Sequence, residues 1–233
     1  MSGKRIWEID FCRALAILLM IIFHLVFDLS YFLRFEINYL SGFWYWEGKA
    51  AALLFIFLAG ISSGFSRNTV KRGLKVLGFG LVITLVTFVV FREQYVRYGI
   101  LHLLGTGMIL FPLLKRMPDV WLVLGAAVIA VAALPVQDIL VETSIFLPFG
   151  LMYEGFSTVD YYPLVPYFAV FILGIVAYKK FYYQRKSLFP FYNNESRVGK
   201  YITMISKNSL AIYLLHQPIL LAIIYLLKFL VNH

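Results

Sequence analysis

Within Asp10–Asp28, DFCRALAILLMIIFHLVFD, four ionisable side chains interrupt an otherwise apolar run. On a helix at about 100° per residue, with Arg13 as zero, His24 falls at about 20° and Asp10 and Asp28 both at about 60°. Asp10, Arg13, His24 and Asp28 therefore share one narrow face. Arg13 and His24 are separated by about 16 Å of axis at a rise of about 1.5 Å per residue, and only Ile17 and Met20 lie between them on that face. Asp28 follows His24 by one turn, the spacing at which a carboxylate can hold one ring nitrogen and leave the other as a proton acceptor. This is the pattern of a base with its orienting acid. A plainer reading pairs Asp28 with Arg34 at the membrane surface and makes His24 a packed, hydrogen-bonded group. Ionisable groups in hydrocarbon are costly, and they are functional candidates by default.

Further candidates lie downstream. His102, in RYGILHLLGTG, has Tyr98 and Gly105 at helical spacing on its face. His216 and Gln217, in KNSLAIYLLHQP, precede Pro218, which removes a helical N–H and frees a carbonyl. Each histidine is also open to a purely interhelical hydrogen bond. Asp160, in DYYPLVPYF, opens an apolar span, where an acid suits the N-terminal end of the helix dipole. No metal site is expected, because no two histidines share an i, i+4 spacing and the single cysteine, Cys12, excludes multi-cysteine ligation and an internal disulfide. The patterns GxxxxGK[ST] and HExxH are absent.

The elements that carry these residues follow from composition. Of 233 residues 61% are hydrophobic and 14% charged, with a mean hydropathy of +0.82. A soluble domain is less apolar. Apolar runs near 11–33, 50–66, 73–91, 98–114, 119–135, 162–181 and 207–230 are each long enough to be read as helices crossing a core of about 30 Å. The predicted fold is an all-α, polytopic transmembrane helical bundle of about seven spans, with residues 1–233 forming one integral-membrane domain. Residues 144–153, broken by Pro148 and Gly150, read as a short re-entrant or interfacial piece. The basic start resembles a signal sequence, but its apolar run is too long and lacks a cleavage site, so it reads as a retained first helix.

Fifteen Lys and Arg fall in one set of alternate segments and five in the other, which places the N-terminus in the cytoplasm and the C-terminus outside. The net charge of +9 is spread among loops rather than gathered in a basic arm, so no nucleic-acid partner is expected. The basic segments 67–75 and 179–200 suit anionic headgroups or a phosphorylated cytosolic ligand. Trp44, Tyr45 and Trp46 suit an interfacial aromatic belt, with stacking on a sugar as the alternative use.

Several stretches together resemble a known family. RIWEIDFCRALAILLMIIFHLVFDL, FIFLAGISSGFSR, YGILHLLG, DYYPLVPYFAVFILGI and KNSLAIYLLHQPIL resemble, in order, bacterial relatives of the heparan-alpha-glucosaminide N-acetyltransferase catalytic domain. The Arg13 to His24 spacing also looks like the first-helix signature of the broader transmembrane acyltransferase superfamily. The resemblance implies a bacterial-type cytoplasmic-membrane enzyme moving an acyl group, in the first instance acetyl, from cytosolic acetyl-CoA or another acyl-CoA to an amine or hydroxyl of an extracytoplasmic glycan or glycoconjugate. It implies His24 as catalytic base, Arg13 as a donor ligand, and Asp160 and His216 as members of the pocket.

With the one-faced stripe, the full expected site is His24 and Asp28 for catalysis, and Asp10, Arg13, His102, Asp160, His216 and Gln217 for substrate and donor. In lysosomal members of the family the proposed catalytic histidine lies in the loop after the first helix. Residues 34–49 contain none, so either that role passes to His24 or the heparan reaction does not carry over, and the acceptor is open. The expected partners are acyl-CoA, the acceptor and membrane lipid, with room for a homo-oligomer. A different class of reading makes the chain a proton-coupled transporter of a sugar or lipid-linked intermediate, with His24, Asp28 and His102 as relay. A third makes it a scaffold whose polar groups specify helix packing.

Overall fold

The computed structural model describes residues 5–136, 138–189 and 196–231. Lys4, counted in the charge pattern, and residues 190–195 of the segment 179–200 lie outside them. The described residues form α1 (Trp7–Leu33), α2 (Gly42–Ser63), α3 (Thr69–Phe91), α4 (Ile100–Leu114), α5 (Asp119–Val136), α6 (Leu164–Ala177), α7 (Arg197–Lys207) and α8 (Ser209–Val231). A 3-10 turn spans Ser144–Phe149, and a π turn, Tyr178–Tyr182, prolongs α6. There is no strand among the described residues beyond two isolated bridges.

Six helices are long and apolar enough to cross a membrane. Ile100–Leu114 is a shorter apolar helix, about 22 Å at the helical rise. Each expected span thus has its helix, and the chain is an all-α, multi-pass membrane protein. The outward-facing surface agrees: Val89, Leu85, Val128 and Val131 are 64% or more exposed on α3 and α5, a load of apolar surface that suits lipid rather than water. The piece at 144–149 is a capped 3-10 turn ending at Gly150, whose φ of 96° is the left-handed conformation glycine adopts without strain.

Two compact units emerge, Met1–Phe55 with Arg185–His233, and Ile56–Gln184. In the first, α1 packs along α7 and α8. Glu8 and Asp10, in the first turn of α1, sit where the helix dipole favours acids. Glu8 also accepts hydrogen bonds from Ser187 Oγ and Leu188 N–H, both at 2.6 Å, tying the segment after the π turn to the start of α1. In the second unit α3 packs along α4, and α6 packs against both α4 and α5. The C-terminal part of α2 crosses α6 backbone to backbone: a Cβ on Gly60 would lie 2.3 Å from the Phe171 carbonyl oxygen, and one on Gly174 2.3 Å from that of Phe57. Paired glycines are how membrane helices reach such close contact.

Candidate active site

The face of α1 that carries the ionisable stripe is the face covered by α7 and α8. Toward the C-terminal end of α1, His24 meets His216 of α8, ring centroids 4.6 Å apart and planes at 86°. Asp28, fully buried, accepts a hydrogen bond from the Gln217 side-chain amide at 2.8 Å. Four of the expected site residues are therefore gathered between two helices. Gly48 of α2 admits the Phe23 ring, which a Cβ would meet at 2.5 Å, and Phe55 of α2 stacks on Tyr213 of α8.

The hydrogen bonds fix the tautomers. His24 Nδ1 lies 2.9 Å from the Met20 carbonyl and His216 Nδ1 lies 2.5 Å from the Tyr213 carbonyl. A carbonyl can only accept, so each Nδ1 carries the proton and each Nε2 keeps a lone pair. The expectation that Asp28 orients His24 is thereby corrected. Helical side chains lean toward the N-terminus, so the imidazole reaches the carbonyl one turn before it rather than the carboxylate one turn after. Nor does Asp28 pair with Arg34; its carboxyl group sits deep in the helix contact. Three buried atoms in this cluster, Asp28 Oδ2, His216 Nε2 and Gln217 Oε1, have no hydrogen-bond partner. Leaving one such atom unsatisfied costs about 1–3 kcal/mol, so buried polar atoms of this kind are met in native proteins by a water, an ion or a ligand, or serve a catalytic role.

At the other end of the stripe Ser206 of α7 is the hub. Its hydroxyl donates to Asp10 Oδ1 at 2.6 Å and accepts from Arg13 at 2.9 Å and Arg5 at 3.3 Å. Arg5 grips Asp10 with two nitrogens, at 2.6 and 2.5 Å, and that hydrogen bonding pushes the Arg5 pKa up. Between the two ends Ile17 is almost completely buried, so the apolar stretch of the stripe is packed against its neighbours.

His102 and Asp160 belong to the second unit, where both serve the start of α4. Asp160 Oδ2 accepts from Ile100 N–H at 3.1 Å, so this acid caps α4 rather than the adjacent α6, whose own N-cap is Pro163. Burial raises its pKa from 3.8 to about 6. His102 Nδ1 accepts from Gly99 N–H at 3.2 Å, and Nε2 faces the Thr84 hydroxyl at 3.3 Å. Gly99 is required there, since a Cβ would fall 2.0 Å from the Asp160 carboxylate. The lone pair of Nδ1 is occupied by a backbone donor, which leaves His102 no free basic nitrogen.

Reasoning from sequence overlooked three contributors. Arg5 and Ser206 complete the Asp10 network. Glu47, on α2, has both carboxylate oxygens buried without a partner. An acid at the sixth position of an apolar helix, directly after four aromatic residues, was the available signal for Glu47. Among the described residues no group of His, Cys, Asp and Glu is arranged to hold a metal ion.

A family model described as heparan-alpha-glucosaminide N-acetyltransferase, catalytic, matches residues 5–218. No curated protein and no solved structure matches the chain.

Proposed function

Because the chain belongs to the heparan-alpha-glucosaminide N-acetyltransferase catalytic family, a family of membrane acetyltransferases, we propose that it transfers an acyl group, acetyl in the first instance, from cytosolic acyl-CoA to an amine or hydroxyl of an extracytoplasmic glycan or glycoconjugate. The observation that carries the reading is the α1–α8 cluster, in which His24 keeps a basic Nε2 beside three unpartnered buried polar atoms.

In this reading His24 is the general base. The acceptor nitrogen or oxygen attacks the thioester carbonyl carbon and gives up its proton to His24 Nε2. The C–S bond breaks, and the departing CoA thiolate takes that proton from His24, leaving as free CoA and returning His24 to its neutral form. Asp28 Oδ2, Gln217 Oε1 and His216 Nε2 are all acceptors in the tautomers assigned, so they suit a substrate rich in O–H and N–H donors, as a sugar is. A polar site so built rejects ligands that cannot supply those donors. Arg13, held by Ser206, is the donor-side cation; the excess of Lys and Arg in alternate segments supports a cytoplasmic location for that end of α1, and the family resemblance a bacterial-type cytoplasmic membrane.

The test is direct. Purified protein given labelled acetyl-CoA and an amino-sugar acceptor is expected to release CoA and label the acceptor, and His24→Ala to stop both. Equal turnover in wild type and variant would remove His24 from the reaction, and substrate flux in proteoliposomes without acyl-CoA would replace transfer by transport.

A further inference from the structure

We propose that a basic cavity beside α7 is a phosphate-binding site that holds the nucleotide end of the acyl donor; the inference rests on the acyl-CoA reading above and adds the place and residues of its recognition. The cavity, about 430 Å³, is lined by Arg5, Lys200, Thr203, Met204, Lys207 and Asn208. That volume lies within the range of about 300–1,000 Å³ typical of small-molecule sites. Its lining holds three cations, a hydroxyl and an amide, with no carboxylate.

Helix α7 explains the arrangement. Positions 200, 203, 204 and 207 follow the i, i+3, i+4, i+7 pattern of a single helical face. A second face, Gly199 and Ser206, is buried, and Ser206 bonds to Asp10 and Arg13 of α1. The third face carries Val198, Tyr201, Ile202 and Ile205, of which Val198 and Tyr201 are 62% and 64% exposed. A helix with an exposed apolar face and a basic face lies in a membrane interface, its charges toward water. The cavity therefore opens at the membrane surface, beside the donor-side end of the stripe.

The charges select the ligand. Arg5 is already neutralised and held rigid by its two bonds to Asp10, so it presents its remaining donors in a fixed direction. Lys200 and Lys207 are exposed, and among the described residues neither is joined to an acid. They supply the uncompensated positive charge. Two turns separate them, about 10 Å along the axis, a span that suits two separated phosphoryl groups better than a single one. Coenzyme A has that character, with a pyrophosphate at one ribose carbon and a monophosphate at another, while its pantetheine arm carries no phosphoryl charge.

The experiment measures KM for acetyl-CoA and for acetyl-pantetheine with the full chain in nanodiscs. In wild type the truncated donor is expected to have much the higher KM. K200Q/K207Q is expected to collapse that ratio by about tenfold or more, through a raised KM for acetyl-CoA, and K200R/K207R to preserve it. Equilibrium binding of CoA and of dephospho-CoA to each single glutamine variant assigns the phosphates: the 3′-phosphate lysine is the one whose loss leaves dephospho-CoA binding unchanged. An acetyl-CoA KM unchanged in K200Q/K207Q overturns the proposal. So does an effect confined to nanodiscs of phosphatidylglycerol and absent in phosphatidylcholine, which would give the cavity to lipid headgroups. A wild-type chain that neither binds CoA nor uses acetyl-CoA overturns the acyl-CoA reading itself, a result distinct from the other two.

Discussion

Two intramembrane histidine sites, one in each unit, use the same side chain in opposite ways. At the start of α4, His102 gives both nitrogens to its own chain, one to Gly99 N–H and one to the Thr84 hydroxyl, and Asp160 closes the same helix end through Ile100. Between α1 and α8, His24 and His216 each give Nδ1 to a carbonyl of their own helix, and His216 Nε2, Asp28 Oδ2 and Gln217 Oε1 are left unpartnered in the interior. Burial is common to both sites. In the proposed mechanism, what separates the structural histidine from the reactive one is the second nitrogen, and whether the protein itself has spoken for it.

The contrast breaks most sharply at the two histidines. His24→Ala is expected to lower kcat by about 100-fold to 10,000-fold, the usual contribution of a positioned general base, with little change in thermal midpoint. His102→Ala is expected to do the reverse. It strands the Gly99 N–H and the Thr84 hydroxyl and costs about 1–3 kcal/mol of stability, while kcat per folded molecule stays within a few-fold of wild type. Thermal scans and turnover on the same preparations separate the two, and a His102→Ala protein that is stable but inactive would erase the distinction drawn here.

A smaller effect tests the unpartnered atoms. Asp28→Asn can keep an oxygen for the Gln217 amide while replacing the empty acceptor by a donor. If Asp28 Oδ2 receives a hydrogen bond from the acceptor substrate, KM for that substrate rises by about tenfold or more, and KM for acetyl-CoA does not follow. Matching changes in both would make Asp28 a packing residue. Ser206→Ala falls at the other end of the stripe. It removes the hydroxyl shared by Asp10, Arg13 and Arg5, and is expected to raise KM for acetyl-CoA by about five-fold, leaving that for the acceptor unchanged.

The same contrast shows what could be read in the sequence. Periodicity alone put Asp10, Arg13, His24 and Asp28 on one face of α1, since they lie on one helix whose geometry is fixed. Which helices cover that face is a long-range matter, and only the structure brings Ser206 of α7 to Asp10 and Gln217 of α8 to Asp28. Local geometry also overrode spacing: Asp28 stands one turn from His24, yet the backward lean of helical side chains sends the imidazole to Met20. Asp160 was assigned to the helix it precedes, but its partner, Ile100, is sixty residues away in the chain. Helix α7 escaped because hydropathy seeks long apolar runs. Its own signals, the Ser196 cap on Gly199 N–H and the apolar spacing of Val198, Tyr201, Ile202 and Ile205, were present in a segment dominated by its lysines.

The smallest effect concerns the site whose groups are spoken for. Asp160 has its pKa raised by burial from 3.8 to about 6, so between those values the folded protein holds more protons than the unfolded chain. Stability contributed by this group must then fall as pH rises from about 4 to about 6, and stay flat above. Asp160→Asn does not titrate, yet retains an oxygen to accept from Ile100 N–H. The thermal midpoint of the variant minus that of wild type is therefore expected to grow across that window, by a few degrees at most for a chain of this length, and to level off near neutrality. Subtraction cancels the other titrating groups. A difference that is constant from pH 4 to pH 7 would mean that the carboxylate is ionised throughout and held by the α4 dipole, and the second unit would then contain a charge its structure was built to keep rather than one it tolerates.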